Sequence, residues 1–215
     1  PPRPRNFSFW ITISPPSGSW TAFSNAYFDQ TKSGAVLSWE WVHGTPAPWL
    51  LQYIQDKDLW TWALPNSREI NAALASYPFD FNVWDRFTQS TLEQEGRAIL
   101  RYEQELVGKL TAQAVVVEFQ GVVVPSVQSA ILTSQIGERL SPHHPFCLIW
   151  HDRDDRRYFS MRSRADGTDV GTIAASFGGG GHTHAAGFSV PLEKDGTPPI
   201  DPRLPRVIQG HRQAP

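Results

Sequence analysis

The sequence predicts an α/β protein with a mostly helical first part and a small mixed-sheet second part. Up to about residue 111, apolar residues recur at helical spacing in several segments. From Ala114 onward the chain becomes rich in β-branched and aromatic residues, which favour strands. The predicted parts are an irregular segment at 1–28, a helical part at 29–90, a connecting helix at 91–111, a mixed-sheet domain at 112–191 and a disordered tail at 192–215.

Local start and stop signals divide the first part into helices. The segment KSGAVLSWEWVHG places apolar residues on one helical face and ends at Gly44. PWLLQYIQD opens with Pro48 in a first-turn position and leads into a predicted acidic loop at 56–58. Asn66, with Glu69 three residues later, has the pattern of a capped helix start. A long helix with an apolar stripe and a charged, solvated face follows and leads into the second part.

The second part reads in the order strand, strand, helix, strand, strand, helix, strand. The first two strands surround a turn or bulge at Gln120–Gly121, and a helix is predicted from Ser129 to Leu140. FCLIWHDRDDRRYFSMRS predicts a hairpin with the charged turn DRDD. The acidic and histidine side chains of that turn are interpreted as solvated rather than as a metal cluster.

Four consecutive glycines, Gly178–Gly181, lie between a predicted helix and a predicted strand, in the segment SFGGGGHTHAAGF. Glycine loses more backbone entropy on folding than any other residue, so such a run indicates that something approaches the backbone closely. Successive N–H groups can form a concave nest for an anion, and His182 could add a donor there. The alternative is a helix C-cap and a turn, with His182 and His184 solvated on an edge strand. The length of the run favours the nest.

Composition limits the possible functions. The 215 residues include 19 basic and 21 acidic side chains, and the resulting net charge of −2 argues against a protein that coats long nucleic acid. The single cysteine, Cys147, lies in FCLIW and is predicted to be an inert buried thiol in a reducing compartment. No apolar run approaches the roughly 20 residues of a membrane helix. We therefore expect a cytoplasmic protein without a membrane partner.

Residues 158–188 resemble the DHH-associated C-terminal domain of the DHH phosphoesterases. In that domain an Arg-Ser pair, a helix and a GGGH-x-x-A-A-G-F run occur in the same order as here. The resemblance implies a phosphate-binding role in which the partner is a short oligonucleotide or a nucleotide. The substrate-binding residues that it implies are Arg162, Ser163, Gly178, Gly179, Gly180, Gly181 and His182.

The first part resembles the downstream half of the DHH catalytic domain, through KSGAVLSW, PWLLQYIQDKDLW and LPNSREINAAL. In that family an aspartate of this loop is a ligand of a two-metal site, usually manganese, that generates hydroxide for attack on phosphorus. The resemblance implies that Asp56 is a metal ligand, with Asp58 second. Without the resemblance, the spacing of these two aspartates indicates only a solvated acidic turn. Trp60 and Trp62 are candidates for base stacking beside this loop.

The family places its other ligands upstream, in an Asp-x-Asp motif, a lone aspartate and an Asp-His-His triplet. None of these motifs occurs before Lys32, and His143–His144 is interpreted as an ordinary loop pair. The expectation is therefore a manganese phosphoesterase that is catalytically incomplete in this chain, so no residue is assigned as catalytic. The alternative is a non-catalytic module that binds phosphate or short nucleic acid. The oligomeric state stays open, with a homodimer among the alternatives.

Overall fold

The computed structural model describes Asp29 and residues 31–212, with side chains as far as Ile208. The predicted irregular segment at 1–28 lies outside these residues. The chain divides into two compact units, and the boundary falls between Tyr102 and Glu103, inside the long predicted helix.

The first unit is helical within its described residues. Its helices are α1 (Gly34–His43), α2 (Trp49–Asp58), α3 (Ser67–Ala75), α4 (Phe81–Trp84) and the first part of α5 (Gln89–Thr111). No helix in the described part of the chain is both long and apolar enough to cross a membrane.

The described residues of the second unit form a seven-stranded mixed sheet. Its elements are β1 (Val115–Phe119), β2 (Val122–Gln128), α6 (Thr133–Leu140), β3 (Cys147–Arg153), β4 (Arg156–Arg162), α7 (Val170–Ser176), β5 (Gly180–His182), β6 (Ala185–Pro191) and β7 (Arg206–Arg212). The strands lie in the order β5-β6-β4-β3-β2-β1-β7. The β2–β3 pair is parallel, and the other described pairs are antiparallel. The α/β prediction is confirmed.

The end of the chain corrects one prediction. The sequence predicts disorder for 192–215, but 206–212 form β7, which pairs with the outer side of β1. The five prolines of the tail favour disorder, yet the stretch RVIQGHR contains no proline and includes two β-branched residues. A strand of this composition can pair wherever an edge is available.

Two details of the first unit also differ from prediction. Asp56, Lys57 and Asp58 form the last turn of α2 rather than a loop. Asn66 does precede α3, but it adopts a left-handed conformation (φ 56°) and its side chain makes no capping hydrogen bond. By contrast Gly44 ends α1 as predicted, with φ 66°. The first unit packs around a small core, whose buried members are Tyr53, Ile70, Ala73 and Leu92.

Helices α6 and α7 cover opposite faces of the sheet. Because strand side chains alternate between the two faces, the central strands β2 and β3 contribute to both cores. The residues on the α7 face include Phe146, Leu148, Phe159, Met161, Val170, Ala174 and Phe188. Those on the α6 face include Val127, Ile136, Cys147 and Ile149. Burial raises the pKa of the Cys147 thiol to about 12, in agreement with its predicted inertness.

Helix α5 packs closely against α3 at Gly96, where a methyl group would overlap the carbonyl oxygen of Glu69. Alanine normally stabilises a helix interior by about 1 kcal/mol relative to glycine. Here we expect the opposite: Gly96→Ala should lower the free energy of unfolding by about 2 kcal/mol, because the two helices must move apart. Urea unfolding followed by circular dichroism measures the effect.

The matched control lies in the same helix. A methyl group at Gly108 would have its nearest neighbour, the Arg139 guanidinium, at 3.9 Å. We therefore expect Gly108→Ala to unfold at the same urea concentration as the wild type or higher. Equal stability of the two alanine variants would contradict the close packing of α3 on α5.

Candidate functional site

The four-glycine run closes α7 and then becomes an edge strand. The N–H of Gly178 donates to the carbonyl of Ala175 (3.0 Å), and the N–H of Gly179 donates to that of Ala174 (2.9 Å). Gly178 has φ 75°, as is common at helix C-termini. The following residues pair with β6 as strand β5. The first two N–H groups of the predicted nest are therefore used by the end of the helix, as in a C-cap, and the last two glycines belong to strand β5 rather than to a flexible turn.

The close approach that the glycines indicate is made by β6. A methyl group at Gly179 would overlap the carbonyl oxygen of Gly187. At Gly181, which has φ 141°, it would lie 2.5 Å from the Cα of Ala186. Gly180 has no such restriction: its φ is outside the left-handed region and no atom lies within 4 Å of a methyl group there.

Strands β4, β6 and β5 present two neighbouring cross-strand rows on one side of the sheet. Directly paired residues, and residues two apart along a strand, point to the same side. None of these side chains is buried, whereas the other side of the same strands carries the α7 core. The two rows, termed the open face, are Arg162–Ala185–His182 and Ser160–Gly187–Gly180.

Arg162 lies at the α6 end of the open face. Its aliphatic stem packs on Gly137 of α6, where a methyl group would overlap the stem. Its guanidinium donates to the carbonyl of Met161 (2.9 Å) and to the hydroxyl of Ser134 (3.3 Å). Burial lowers the pKa of Arg162, but a guanidinium stays charged at neutral pH. Two of its five N–H groups thus hold the guanidinium in place.

Ser163, the second residue of the predicted Arg-Ser pair, is buried and has a different environment. Its hydroxyl donates to the carbonyl of Thr168 (2.7 Å), and its N–H donates to the carbonyl of His184 (3.1 Å). Since the hydroxyl proton goes to Thr168, the contact of Ser163 Oγ with His184 Nδ1 at 3.0 Å requires that Nδ1 donates. The two contacts with His184 tie the end of β4 to the β5–β6 hairpin, and the bond to Thr168 ties it to the loop before α7. The sequence predicts only a solvated role for His184, because local patterns do not show its contact with Ser163, which lies 21 residues away.

Asp56 is 5% exposed, and its carboxylate anchors the loop that follows α2. Oδ1 accepts hydrogen bonds from the Thr61 hydroxyl (2.5 Å) and the Ala63 N–H (2.8 Å), and Oδ2 accepts from the Leu64 N–H (3.1 Å). Burial by itself raises the pKa of Asp56, but these bonds and one from the Ser67 hydroxyl outweigh it, so the net pKa is lowered. The carboxylate is ionised at neutral pH and already surrounded by donors.

The manganese site implied by the family resemblance does not agree with these contacts. The donors around Asp56 occupy both of its oxygens, and Asp58 is an exposed residue at the end of α2. Nowhere in the described part of the chain do three histidine, cysteine or acidic side chains come together in a way that could hold a metal ion. A pair of metals needs several such ligands. The described residues therefore do not fit a two-metal centre.

The loop anchored by Asp56 also contains Trp60 and Trp62. Both have positive φ, 57° and 51°, which is uncommon for bulky residues. Their rings meet edge to face with centroids 4.9 Å apart, and the Arg68 guanidinium lies 4.3 Å from the Trp62 ring centroid. Both side chains are half-buried. Each ring thus has contacts within the protein, and the base-stacking role stays a prediction.

A separate cavity of 520 Å³ lies in the first unit. It is lined mostly by apolar and aromatic side chains of α1, α2 and α4, including Trp39, Trp49, Phe81 and Trp84. Such a lining does not suit a phosphate group. The open face remains the better candidate for a phosphate-bearing ligand.

Comparisons with known proteins give limited similarities. No protein-family model matches the chain. An uncharacterized protein, R106 of Acanthamoeba polyphaga mimivirus, is 33% identical over 173 residues, which cover 74% of this chain and 41% of the relative. The chain thus spans about two fifths of that relative's length. The family resemblance seen in the sequence stays a prediction.

Two solved structures show a partial likeness. One is an uncharacterized protein from Helicobacter pylori G27, with TM-score 0.30, 14% identity and coverage of 79% of this chain and 64% of that one. The other is PggH, a pGpG-specific phosphodiesterase from Vibrio cholerae, with TM-score 0.40, 13% identity and coverage of 74% and 68%. Neither likeness is close enough to define the activity of this chain.

Proposed function

We propose that the second unit binds the phosphate of a short oligonucleotide or a nucleotide on the open face. The observation that carries this proposal is the row in which Arg162 and His182 flank Ala185. The guanidinium offers the planar, bidentate geometry that a phosphate accepts, and the histidine adds a donor from the edge strand.

The neighbouring row provides a floor on which a ligand can lie. Ser160, Gly187 and Gly180 carry small side chains or none, and the space above Gly180 is open for at least 4 Å. A ligand can therefore approach the sheet between the two basic residues. The bonds of Ser163 to His184 in the β5–β6 hairpin would keep His182 in position relative to Arg162.

The family resemblance supports the same ligand class, because it assigns substrate binding to the Arg-Ser pair and the glycine run. It also implies manganese-dependent hydrolysis, in which two metals hold the attacking water. The described residues do not fit the metals, so that reaction is not assigned to them. Binding and orienting the phosphate-bearing ligand is the function that their geometry supports, and cleavage of a phosphodiester belongs to the implied parent activity.

Calorimetric titration with a 5′-phosphorylated dinucleotide tests the proposal. Arg162→Lys keeps the charge but loses the bidentate fork, and His182→Ala removes one donor. We expect each change to weaken binding by roughly 1–3 kcal/mol, the range for a hydrogen bond to a charged group. Circular dichroism checks that each variant is folded.

The matched control is Arg157→Lys on the same strand. Arg157 points to the other side of β4, where it pairs with Asp152 and lies over the Trp150 ring. Its replacement should leave dinucleotide affinity unchanged. A wild-type protein that does not bind the dinucleotide, or folded Arg162 and His182 variants that bind as tightly as the wild type, would refute the proposed site.

A further inference from the structure

The open face continues along β4 beyond the two rows. The next residues on the same side of the strand are Tyr158 and Arg156. Tyr158 is directly opposite His151 on β3, and the two rings stack with centroids 5.4 Å apart and an interplanar angle of 11°. Arg153 lies 4.7 Å from the Tyr158 ring centroid and donates to its hydroxyl at 3.2 Å. Residues of β3 thus fix the orientation of the tyrosine ring.

On the β6 side, Tyr158 is bordered by two small residues and by the side chain of Arg156. Tyr158 is opposite Ser189 on β6, and the next residue of β6 on this side is Gly187. Ser189 in turn holds Arg156, whose Nε donates to the serine hydroxyl and whose terminal nitrogen donates to the serine carbonyl, both at 3.0 Å. Tyr158 and Arg156 are only half-buried. An aromatic side chain and a second arginine therefore border the same floor of small residues as Arg162.

The charges near this end of the floor favour a polyanion. Arg156 lies on the open side, whereas Asp152 points to the other side and pairs with Arg157. Two further acids, Asp154 and Asp155, lie in the exposed hairpin turn beyond the strand ends.

The spacing along β4 sets the length of ligand that reaches both ends. Four residues separate Arg162 from Tyr158, which is about 13 Å along a strand. A stacked nucleic-acid strand advances about 3.4 Å per nucleotide, so about four stacked nucleotides, or fewer in an extended strand, cover this distance. A mononucleotide phosphate held at Arg162 would not extend so far.

We propose that Tyr158 forms a second subsite, which stacks a base of an oligonucleotide whose phosphate is held at Arg162, with Arg156 close to the backbone of the same ligand. Nucleobases stack on aromatic rings regardless of sequence, so the subsite selects for length rather than for a particular base. The inference rests on the proposed phosphate site and adds that the ligand is an oligonucleotide of about two to four units.

The experiment is a titration with 5′-phosphorylated mono-, di-, tri- and tetranucleotides. Wild-type affinity is expected to rise about tenfold or more from the mononucleotide to the longest ligand, because this is the gain in affinity that one base stacked on an aromatic ring provides. Tyr158→Leu keeps an apolar side chain but has no π face, so the rise should disappear while the mononucleotide binds as before. Tyr158→Phe keeps the ring and should keep the rise.

A ligand-side test does not depend on how the variants fold. Tetranucleotides that lack one base, at each position in turn, should include one that binds wild type about tenfold more weakly than the intact ligand. A rise with length that survives Tyr158→Leu in a folded protein, or equal binding of all base-deficient ligands, overturns the subsite alone. Failure of every phosphorylated ligand to bind overturns the proposed function itself.

Discussion

Replacing Asp56 by alanine is expected to lower the free energy of unfolding of the first unit by roughly 3–5 kcal/mol in the absence of any metal. The change leaves two hydroxyl and two backbone N–H donors without their acceptor in a buried site. It also releases a loop that holds Trp60 and Trp62 at positive φ. Urea unfolding followed by tryptophan fluorescence measures the loss, because most of the described tryptophans lie in this unit.

Asp58→Ala is the matched control, since Asp58 is an exposed acid in the same turn of α2. Its replacement should change stability by less than about 0.5 kcal/mol. The advantage of the wild type over Asp56→Ala should also depend on pH. Because the folded pKa of Asp56 is lowered, its contribution is fully present above the unfolded value of about 3.9 and is lost as the pH falls through the folded pKa.

Unfolding in the presence of manganese distinguishes the structural role of Asp56 from the metal-ligand role that the family resemblance implies. If Asp56 only anchors the loop, manganese should shift the unfolding midpoint of wild type and Asp56→Ala equally. A manganese-dependent gain in stability that is confined to the wild type would show that Asp56 binds the metal. An unchanged urea midpoint for Asp56→Ala would contradict the anchoring role.

Much of the fold could be predicted because its elements depend on local sequence. The turn at Gln120–Gly121 has φ 54° and 74°, the left-handed conformation that is typical of tight hairpins, and both flanking strands formed as predicted. The hairpin of β3 and β4 and the long helix α5 were also predictable from local sequence. Strand β7 could not be predicted in this way, because its stability comes from pairing with β1, about 90 residues earlier in the chain.

The candidate site shows the same distinction. The sequence indicates Arg162, the glycine run and His182, but their arrangement depends on the register of β4, β6 and β5, which is not visible in local patterns. The length of the glycine run favours an anion nest, whereas two of its members are required by contact with β6. The sequence draws attention to Asp56 through the surrounding segment PWLLQYIQDKDLW. Its hydrogen-bond donors lie up to 11 residues further along the chain, so only the folded structure shows them.

The glycine run offers the sharpest test of the open face, because its members have separate roles. We expect Gly180→Leu to fold as the wild type does, since the new side chain enters open space. The leucine would cover the floor beside the row of Arg162 and His182, so affinity for a 5′-phosphorylated dinucleotide should fall at least about tenfold, or about 1.4 kcal/mol. Titration together with circular dichroism measures both properties.

The neighbouring glycines are the controls, and the opposite behaviour is expected of them. Gly179→Ala and Gly181→Ala add only a methyl group, but it meets the backbone of β6, so they should destabilise β5 by about 1–3 kcal/mol. Hydrogen exchange of the β5 and β6 amides should be faster in both variants and unchanged in Gly180→Leu. If folded Gly180→Leu binds the dinucleotide as tightly as wild type, the ligand does not lie on this floor, because a side chain of that size cannot share the space above Gly180 with it.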